Sequence, residues 1–280
     1  MLTVAAPAKL NLTLEALKKR PDGFHEICSV VQTISFEDKL IFQTGPRMEI
    51  ECGFPGWSAA QSLVFKAVSL LRNSTGVRQG ARIEIEKRIP LNSGLGGDSS
   101  DAAAVLRGLN LVWNLKLSLR DLINYGAQLG SDVSLFLYGG TVLIEGRGEK
   151  IRPLRPMPHM TVVLLLPPVP RVENKTQRMY GQLSVRNYTP GRITGDFVKA
   201  TEGRETRAGS GLYNVFDELG LRFFPGLREC RQKFLQAGAD EVHLAGSGPT
   251  LFSLTRDDVK ASDIQKRLQN MGLEAYLADF

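Results

Sequence analysis

The chain is poor in the residues that most often announce their own chemistry. It has 3 cysteines and 3 histidines in 280 residues. Cys28, Cys52 and Cys230 stand far apart, in no metal-binding spacing and no disulfide framework, so reduced thiols are expected. His25, His159 and His243 are equally scattered, which argues against a zinc site. Long apolar runs are missing as well. The longest, Val162–Leu166, is far short of the roughly 20 residues of a membrane-spanning helix. No basic segment followed by an apolar stretch opens the chain, and no Arg/Ser-rich transit composition does, so a cytoplasmic location with no membrane partner is expected. There is no basic stripe with interleaved aromatics, so no nucleic-acid partner is expected either.

What is present is an ordinary globular composition, 42% hydrophobic and 23% charged, with a net charge of +6 that suits an anionic ligand. The densest basic cluster, Arg147, Lys150, Arg152 and Arg155, reads as a hairpin loop and its flank with a solvated face. The informative run is Pro90-Leu91-Asn92-Ser93-Gly94-Leu95-Gly96-Gly97-Asp98-Ser99-Ser100-Asp101-Ala102-Ala103-Ala104. Three glycines permit backbone conformations closed to other residues and a close approach to a ligand. Ser99, Ser100 and Asp101 are N-cap types ahead of a good helix former. A helix N-terminus offers N–H groups and partial positive charge, so the run is built to hold an anion, most naturally phosphate. It is no Walker A loop, because no Lys-Ser/Thr follows the last glycine, and Ser99 breaks the dinucleotide fingerprint. No His-Arg-Asp or Asp-Phe-Gly triplet marks a protein kinase.

Strands and helices alternate through both halves. Leu10–Leu14, Val30–Phe36, Lys39–Phe42 and Arg82–Glu86 read as strands, and Pro21–Gly23 as a turn. Gln61–Arg72 has a helical apolar face, a helix follows from Ser100 to Trp113, and Ser118 with Asp121 opens another that Gly130 ends. Val133–Tyr138 and Thr141–Ile144 flank a Gly139–Gly140 turn. After the Pro153–Pro158 stretch come a buried strand at Thr161–Leu166, a helix at Asn174–Leu183 and polar loops around one short helix between Tyr188 and Gly211. A helix at Gly226–Gln236, a second glycine turn at Gly246–Gly248, a strand at Thr250–Leu254 and a helix at Val259–Met271 follow. The class expected is α+β, with domains 1–156 and 157–280. Asp38, Glu145 and Glu149 are expected in solvent and His243 in the core.

Three segments, in this order and at these separations, resemble the motifs of the GHMP kinases. They are Pro7-Ala8-Lys9-Leu10-Asn11-Leu12, then Pro90-x-x-x-Gly94-Leu95-Gly96-Gly97-x-Ser99-Ser100-x-Ala102-Ala103, then Ala245-Gly246-Ser247-Gly248-Pro249. Pro21-Asp22-Gly23-Phe24-His25-Glu26 and Leu129-Gly130-Ser131-Asp132-Val133-Ser134-Leu135-Phe136 narrow the likeness to the branch whose acceptor carries cytidine diphosphate.

The resemblance implies a two-lobed fold, with an N-terminal lobe like ribosomal S5 domain 2 and a ferredoxin-like C-terminal lobe. It implies a monomer or weak homodimer that transfers the γ-phosphoryl of ATP to the 2-hydroxyl of a methylerythritol. Asp132 would be the base and Lys9 its partner. Lys87, Pro90, Ser93, Gly94, Leu95, Gly96, Gly97, Asp98, Ser99 and Ser100 would hold ATP, with Mg²⁺ on Ser99 or Ser100. Asn11, Phe24, His25, Gly246, Ser247 and Gly248 would hold the acceptor. Phe24 stands where Tyr is usual, Asp98 where a third glycine is common, and Ser62 where Asn is frequent. Val172-Glu173-Asn174 replaces a usual Val-Ser-Thr. Another kinase of the family, of mevalonate or homoserine type, and a nucleotide-binding homologue without catalysis are the alternatives.

Overall fold

The computed structural model describes residues 1–170, 172–203 and 211–280, so part of the polar stretch expected between Tyr188 and Gly211 lies outside the described residues. In chain order the elements are β1 (Leu2–Asn11), β2 (Thr13–Lys19), β3 (His25–Gly45), β4 (Met48–Cys52), α1 (Leu63–Thr75), β5 (Gly80–Glu86), α2 (Gly97–Val112), α3 (Leu119–Leu129) and α4 (Val133–Tyr138). They continue as β6 (Thr141–Gly146), β7 (Lys150–Pro153), β8 (Thr161–Leu166), α5 (Lys175–Tyr180), α6 (Arg192–Glu202), β9 (Tyr213–Asn214), α7 (Asp217–Phe223) and α8 (Leu227–Gln236). The chain closes with β10 (His243–Leu244), β11 (Leu251–Thr255), α9 (Asp258–Asn270) and β12 (Glu274–Asp279). The α+β class holds. Among the described residues no helix is long and apolar enough to cross a membrane.

The chain forms two compact units that interleave in sequence. The first comprises Met1–Ala8, Phe36–Leu91 and Gly96–Gly139. In it β5 pairs antiparallel with the second half of β3, from Lys39↔Glu86 to Gly45↔Gly80, and parallel with β4. The alternation of Arg82–Glu86 thus puts Ile83 and Ile85 inward. Helices α1 to α4 pack on one another. Ala102, Ala103 and Ala104 are all buried, and a Cβ at Gly108 would strike the Phe42 ring. Small residues on α2 let the helix lie close to its neighbours. Ser118 and Asp121 form the expected reciprocal capping box on α3. Val133–Tyr138, the first arm of the expected turn, is a helix, α4, whose apolar side chains are buried between α2 and α3.

The second unit comprises Lys9–Ser35, Asn92–Leu95 and Gly140–Phe280. It contains an antiparallel sheet in the order β10-β11-β8-β12. Strand β8 is central and buried along its whole length, as its unbroken apolar run requires. Helix α9, capped by Asp257 accepting from the Lys260 N–H at 3.0 Å, packs on this sheet, and α8 packs on α9. The first half of β3 pairs with β2 on one side and with β6 on the other. The glycine-rich run passes from the second unit to the first between Leu95 and Gly96.

Candidate active site

In the second unit, segments more than 200 residues apart in sequence converge on the two glycine turns. The Lys9 N–H donates to the Leu95 carbonyl at 2.9 Å, and the Thr250 N–H donates to the Ser93 carbonyl at 3.1 Å. Gly94 adopts φ +91°, and a Cβ there would run into the Ala245 carbonyl. Glycine is therefore needed at this position twice over, for its torsion and for the close approach of two backbones. Gly246 (φ +55°) is the same case from the other side: a Cβ there would lie 2.8 Å from Lys9 Nζ and 3.2 Å from Asn11 Oδ1.

Lys9 itself is 7% exposed. Its Nζ donates to Asn11 Oδ1 at 2.7 Å, and Asn11 Nδ2 donates to Ser29 Oγ at 2.8 Å. The chain Lys9–Asn11–Ser29 fixes a buried ammonium beside both turns. Asn214 Nδ2 donates to the Leu244 and Gly246 carbonyls at 2.7 and 2.8 Å and holds the C-terminal turn from behind. Ser247 is buried, with its hydroxyl 3.0 Å from that of Thr176.

Phe24 and His25 sit differently. Phe24 is 57% exposed, with the Arg147 guanidinium 5.0 Å from its ring centroid. His25 is buried, its ring centroid 5.2 Å from that of Tyr180 and its Nε2 3.3 Å from the Tyr188 hydroxyl. Burial, aided by Lys19, pushes its pKa below the ordinary value. The ring is therefore neutral at pH 7, with one nitrogen donating and the other accepting. An exposed aromatic face next to a neutral imidazole suits a pyrimidine base. Tyr180 and Tyr188 lie 155 and 163 residues beyond His25, and no local pattern announced them.

In the first unit, α2 begins at Gly97, earlier than the expected Ser100, because Gly96 turns into the left-handed region (φ 78°) and its carbonyl accepts from the Ser100 N–H. Ser99 is thus in the first turn, where N–H groups lack intrahelical acceptors, and Ser100 closes that turn with the first intrahelical bond. Ser99 is half-buried, while Ser100 is almost wholly buried and its Oγ has no hydrogen-bond partner. Asp98 accepts from the Leu63 N–H at 3.2 Å, at the start of α1, where Ser62 also caps by accepting from the Phe65 N–H. Its carboxylate is thereby engaged with α1, and burial raises its pKa.

Pro90 is half-buried just after a nest of charge. Lys87 Nζ lies 2.6 Å from Asp38 Oδ2 and 2.7 Å from Asp101 Oδ2, with all three side chains at 1% exposure or less. Asp38 also accepts from the Arg88 and Ile89 N–H groups. The expectation of a solvated Asp38 is therefore wrong: it anchors the backbone that leads into the glycine-rich run. Burial pushes the Asp101 pKa up, with Lys87 opposing and Asp38 adding to the rise. Asp132 occupies the N-cap position of α4 but makes no side-chain capping bond. A mere capping role for it is thus unsupported.

His243 is no core histidine. Its Nδ1 is 2.8 Å from Asp217 Oδ2 and its Nε2 3.3 Å from Glu241 Oε2. Burial alone would lower its pKa, but the two carboxylates hold it up at about 9. Glu145 and Glu149 are exposed as expected. Sequence reasoning missed Lys175 entirely, because its partners are backbone carbonyls of distant segments that no side-chain pattern announces.

Two family models match, the GHMP kinases N terminal domain over residues 62–140 and the GHMP kinases C terminal domain over 198–273. A 4-diphosphocytidyl-2-C-methyl-D-erythritol kinase of Dehalococcoides mccartyi is 43% identical over 278 residues, covering 99% of this chain and 97% of that protein. A protein of the same name from a Geobacillus species is 38% identical over 96% of this chain and 93% of its own length. Among solved structures, a 4-(cytidine 5'-diphospho)-2C-methyl-D-erythritol kinase superposes with a TM-score of 0.85 at 29% identity, over 99% of this chain and 98% of that one. Homoserine kinase from Cytophaga hutchinsonii, at 20% identity and a TM-score of 0.75, shares the fold, over 99% of this chain and 93% of its own.

Proposed function

The chain belongs to the 4-diphosphocytidyl-2-C-methyl-D-erythritol kinase family of the GHMP kinases, and from that premise we propose how its residues carry out the reaction. It is an ATP-dependent phosphotransferase with an alcohol as acceptor, working in the methylerythritol phosphate route to isoprenoid precursors. Its substrate is a small molecule that carries cytidine diphosphate. In our reading the γ-phosphoryl of ATP passes to the 2-hydroxyl of the methylerythritol moiety. Asp132 takes the hydroxyl proton as the phosphoryl group arrives, and Lys9 stabilises the oxygen that loses it. Proton acceptance by a placed side chain is worth about 10²–10⁴ in rate, with positioning and charge neutralisation supplying much of the rest.

The single observation that carries this reading is the meeting of Lys9, Asn11, the Ser93–Leu95 turn and the Gly246–Gly248 turn in one buried cluster. Cations and close-packed glycine backbones are what a phosphate-handling centre requires. Gly94, Leu95, Gly96, Gly97 and the first turn of α2 would lie along the ATP phosphates, with Pro90 and Lys87 shaping the entry to the loop. Because both carboxylates already hold the Lys87 ammonium, its part is to brace that entry. Phe24 would stack on cytosine, braced by Arg147, and His25 would hydrogen-bond the base edge. Gly246, Ser247 and Gly248 would support the acceptor.

Mg²⁺ belongs to the same reading. The orphaned, buried Ser100 hydroxyl is a hard oxygen donor of the kind this ion takes, which favours Ser100 over Ser99 as its protein ligand. Bound there, the ion would neutralise charge on the β- and γ-phosphates. Among the described residues no group of three or more His, Cys, Asp or Glu could hold a metal ion. Lobes at 1–156 and 157–280, a monomer or weak homodimer, and a cytoplasmic location complete the proposal.

The test is ADP release with ATP, Mg²⁺ and either the cytidine-bearing acceptor or the same methylerythritol phosphate without cytidine. Turnover is expected with the first and at least about 100-fold less with the second, and Asp132→Asn should cost about 10²–10⁴ in kcat. Equal turnover of both acceptors would remove the cytidine reading, and an unchanged kcat in Asp132→Asn would remove the base.

A further inference from the structure

Lys175 opens α5 directly after Val172-Glu173-Asn174 and is 6% exposed. Its Nζ donates to the Asn92 carbonyl at 3.0 Å and to the Gly248 carbonyl. These are the two glycine turns of the candidate site, and Lys175 joins them by its side chain. Both partners are neutral carbonyl oxygens. The charged group that acts on Lys175 is Lys9, another cation. Helix α7, which packs against α5, carries Asp217, Glu218 and Arg222. Asp217 is committed to His243 and the Leu244 N–H, and Glu218 lies 3.9 Å from Arg231. On α5 itself Arg178 stacks over Phe223, at 5.3 Å from its centroid.

A buried amine facing carbonyls has a simple property. Neutral –NH₂ has two N–H bonds, enough for both carbonyls, and the third position is a lone pair. Protonation turns that lone pair into a third N–H and adds a charge without breaking either existing bond. Burial and the field of Lys9 oppose that charge in the free protein and push the group down to about 7. An incoming polyanion favours it.

We propose that Lys175 is a positioning residue that clamps the two glycine turns and takes up a proton from solvent when the triphosphate of ATP binds. The clamp holds with or without the proton, and the charge appears only when the anion is there to stabilise it. This rests on ATP as the phosphoryl donor.

The experiment is calorimetric titration of the full-length protein with Mg·ATP in buffers of different ionisation enthalpy, which reads protons taken up per ATP bound. The wild type should take up about half a proton at pH 7, approaching one at pH 8 and falling toward none at pH 6. Lys175→Arg keeps a donor and a permanent charge. It should bind ATP within about threefold of the wild type while losing the uptake. Lys175→Met should lose both the uptake and about tenfold in ATP affinity at pH 7, with KM for ATP rising more than kcat falls. If Lys175→Met does not fold, the arginine variant alone decides. The same uptake in wild type and Lys175→Arg would overturn the proposal, as would ATP affinity in Lys175→Met equal to wild type from pH 6 to 8. A wild type that binds no ATP at all would instead overturn the reading of the donor.

Discussion

Lys87 in the first unit and Lys175 in the second are the same side chain at almost the same depth, and they are opposites. Lys87 has two carboxylates within 2.7 Å. Burial would lower its pKa, but Asp101 and Asp38 outweigh it and raise it. Lys175 has two carbonyls and a neighbouring cation, and burial takes its pKa down to about 7. Burial thus sets the cost of a charge, while the partners decide whether that cost is met. Lys87 is a permanent charge built into the scaffold under the glycine-rich run. Lys175 is a charge held in reserve on the Asn92 and Gly248 carbonyls of the two turns.

The largest expected effect separates the two directly. Lys87→Met leaves Asp38 and Asp101 buried and facing each other, and should cost about 3–5 kcal/mol of stability by urea denaturation. Lys175→Met removes a cation that has no carboxylate to leave behind, and should cost less than about 2 kcal/mol. Equal losses would erase the distinction.

The next effect is one of pH. Lys175 has a folded pKa below its unfolded value of about 10.4, so the unfolded chain binds more protons between about 7 and 10.4. Its contribution therefore makes the ligand-free protein more stable as pH rises through that window, by about 4–5 kcal/mol in total. Lys87 has a raised pKa, so its contribution is fully present below about 10.4 and is lost only above it. Denaturation curves at pH 7, 8 and 9 for wild type and Lys175→Met should diverge, with the wild type gaining relative to the variant. Parallel curves would contradict the assignment.

The smallest effect sharpens the comparison with a third, half-buried base. His243 has a raised pKa, so its stabilisation is full below about 6.5 and lost as pH rises through about 9. Glu241 is 37% exposed, so screening reduces the contribution, and His243→Gln should cost about 1–2 kcal/mol at pH 6 and close to nothing at pH 9.5. An unchanged difference across that range would mean that the contact with Asp217 is not ionic.

What could be read in the sequence was local pattern and ordered motif. The capping box of Ser118 and Asp121, the alternation of Arg82–Glu86 and the buried run Thr161–Leu166 are each written within a few residues. The Lys9, Gly94 and Gly246 segments were recognisable as a set, and the structure of the second unit packs them together. Hidden were groups whose meaning lies in distant partners. Asp38 looked like a solvated acid because Lys87 and Asp101 stand 49 and 63 residues away. His243 looked apolar because its neighbours in sequence are, yet Asp217 reaches it from α7. Lys175 was invisible because its role depends on two carbonyls, which no side-chain pattern reports. Helix α4 was missed because six mostly apolar residues carry too little periodicity to separate helix from strand.

The most direct test of the whole account is the acceptor profile of the purified protein. ADP release with ATP and Mg²⁺ is measured against 4-diphosphocytidyl-2-C-methylerythritol, mevalonate and homoserine at equal concentration. The account predicts turnover with the cytidine-bearing alcohol and rates at the no-acceptor blank with the other two. Turnover of mevalonate or homoserine in its place would contradict it.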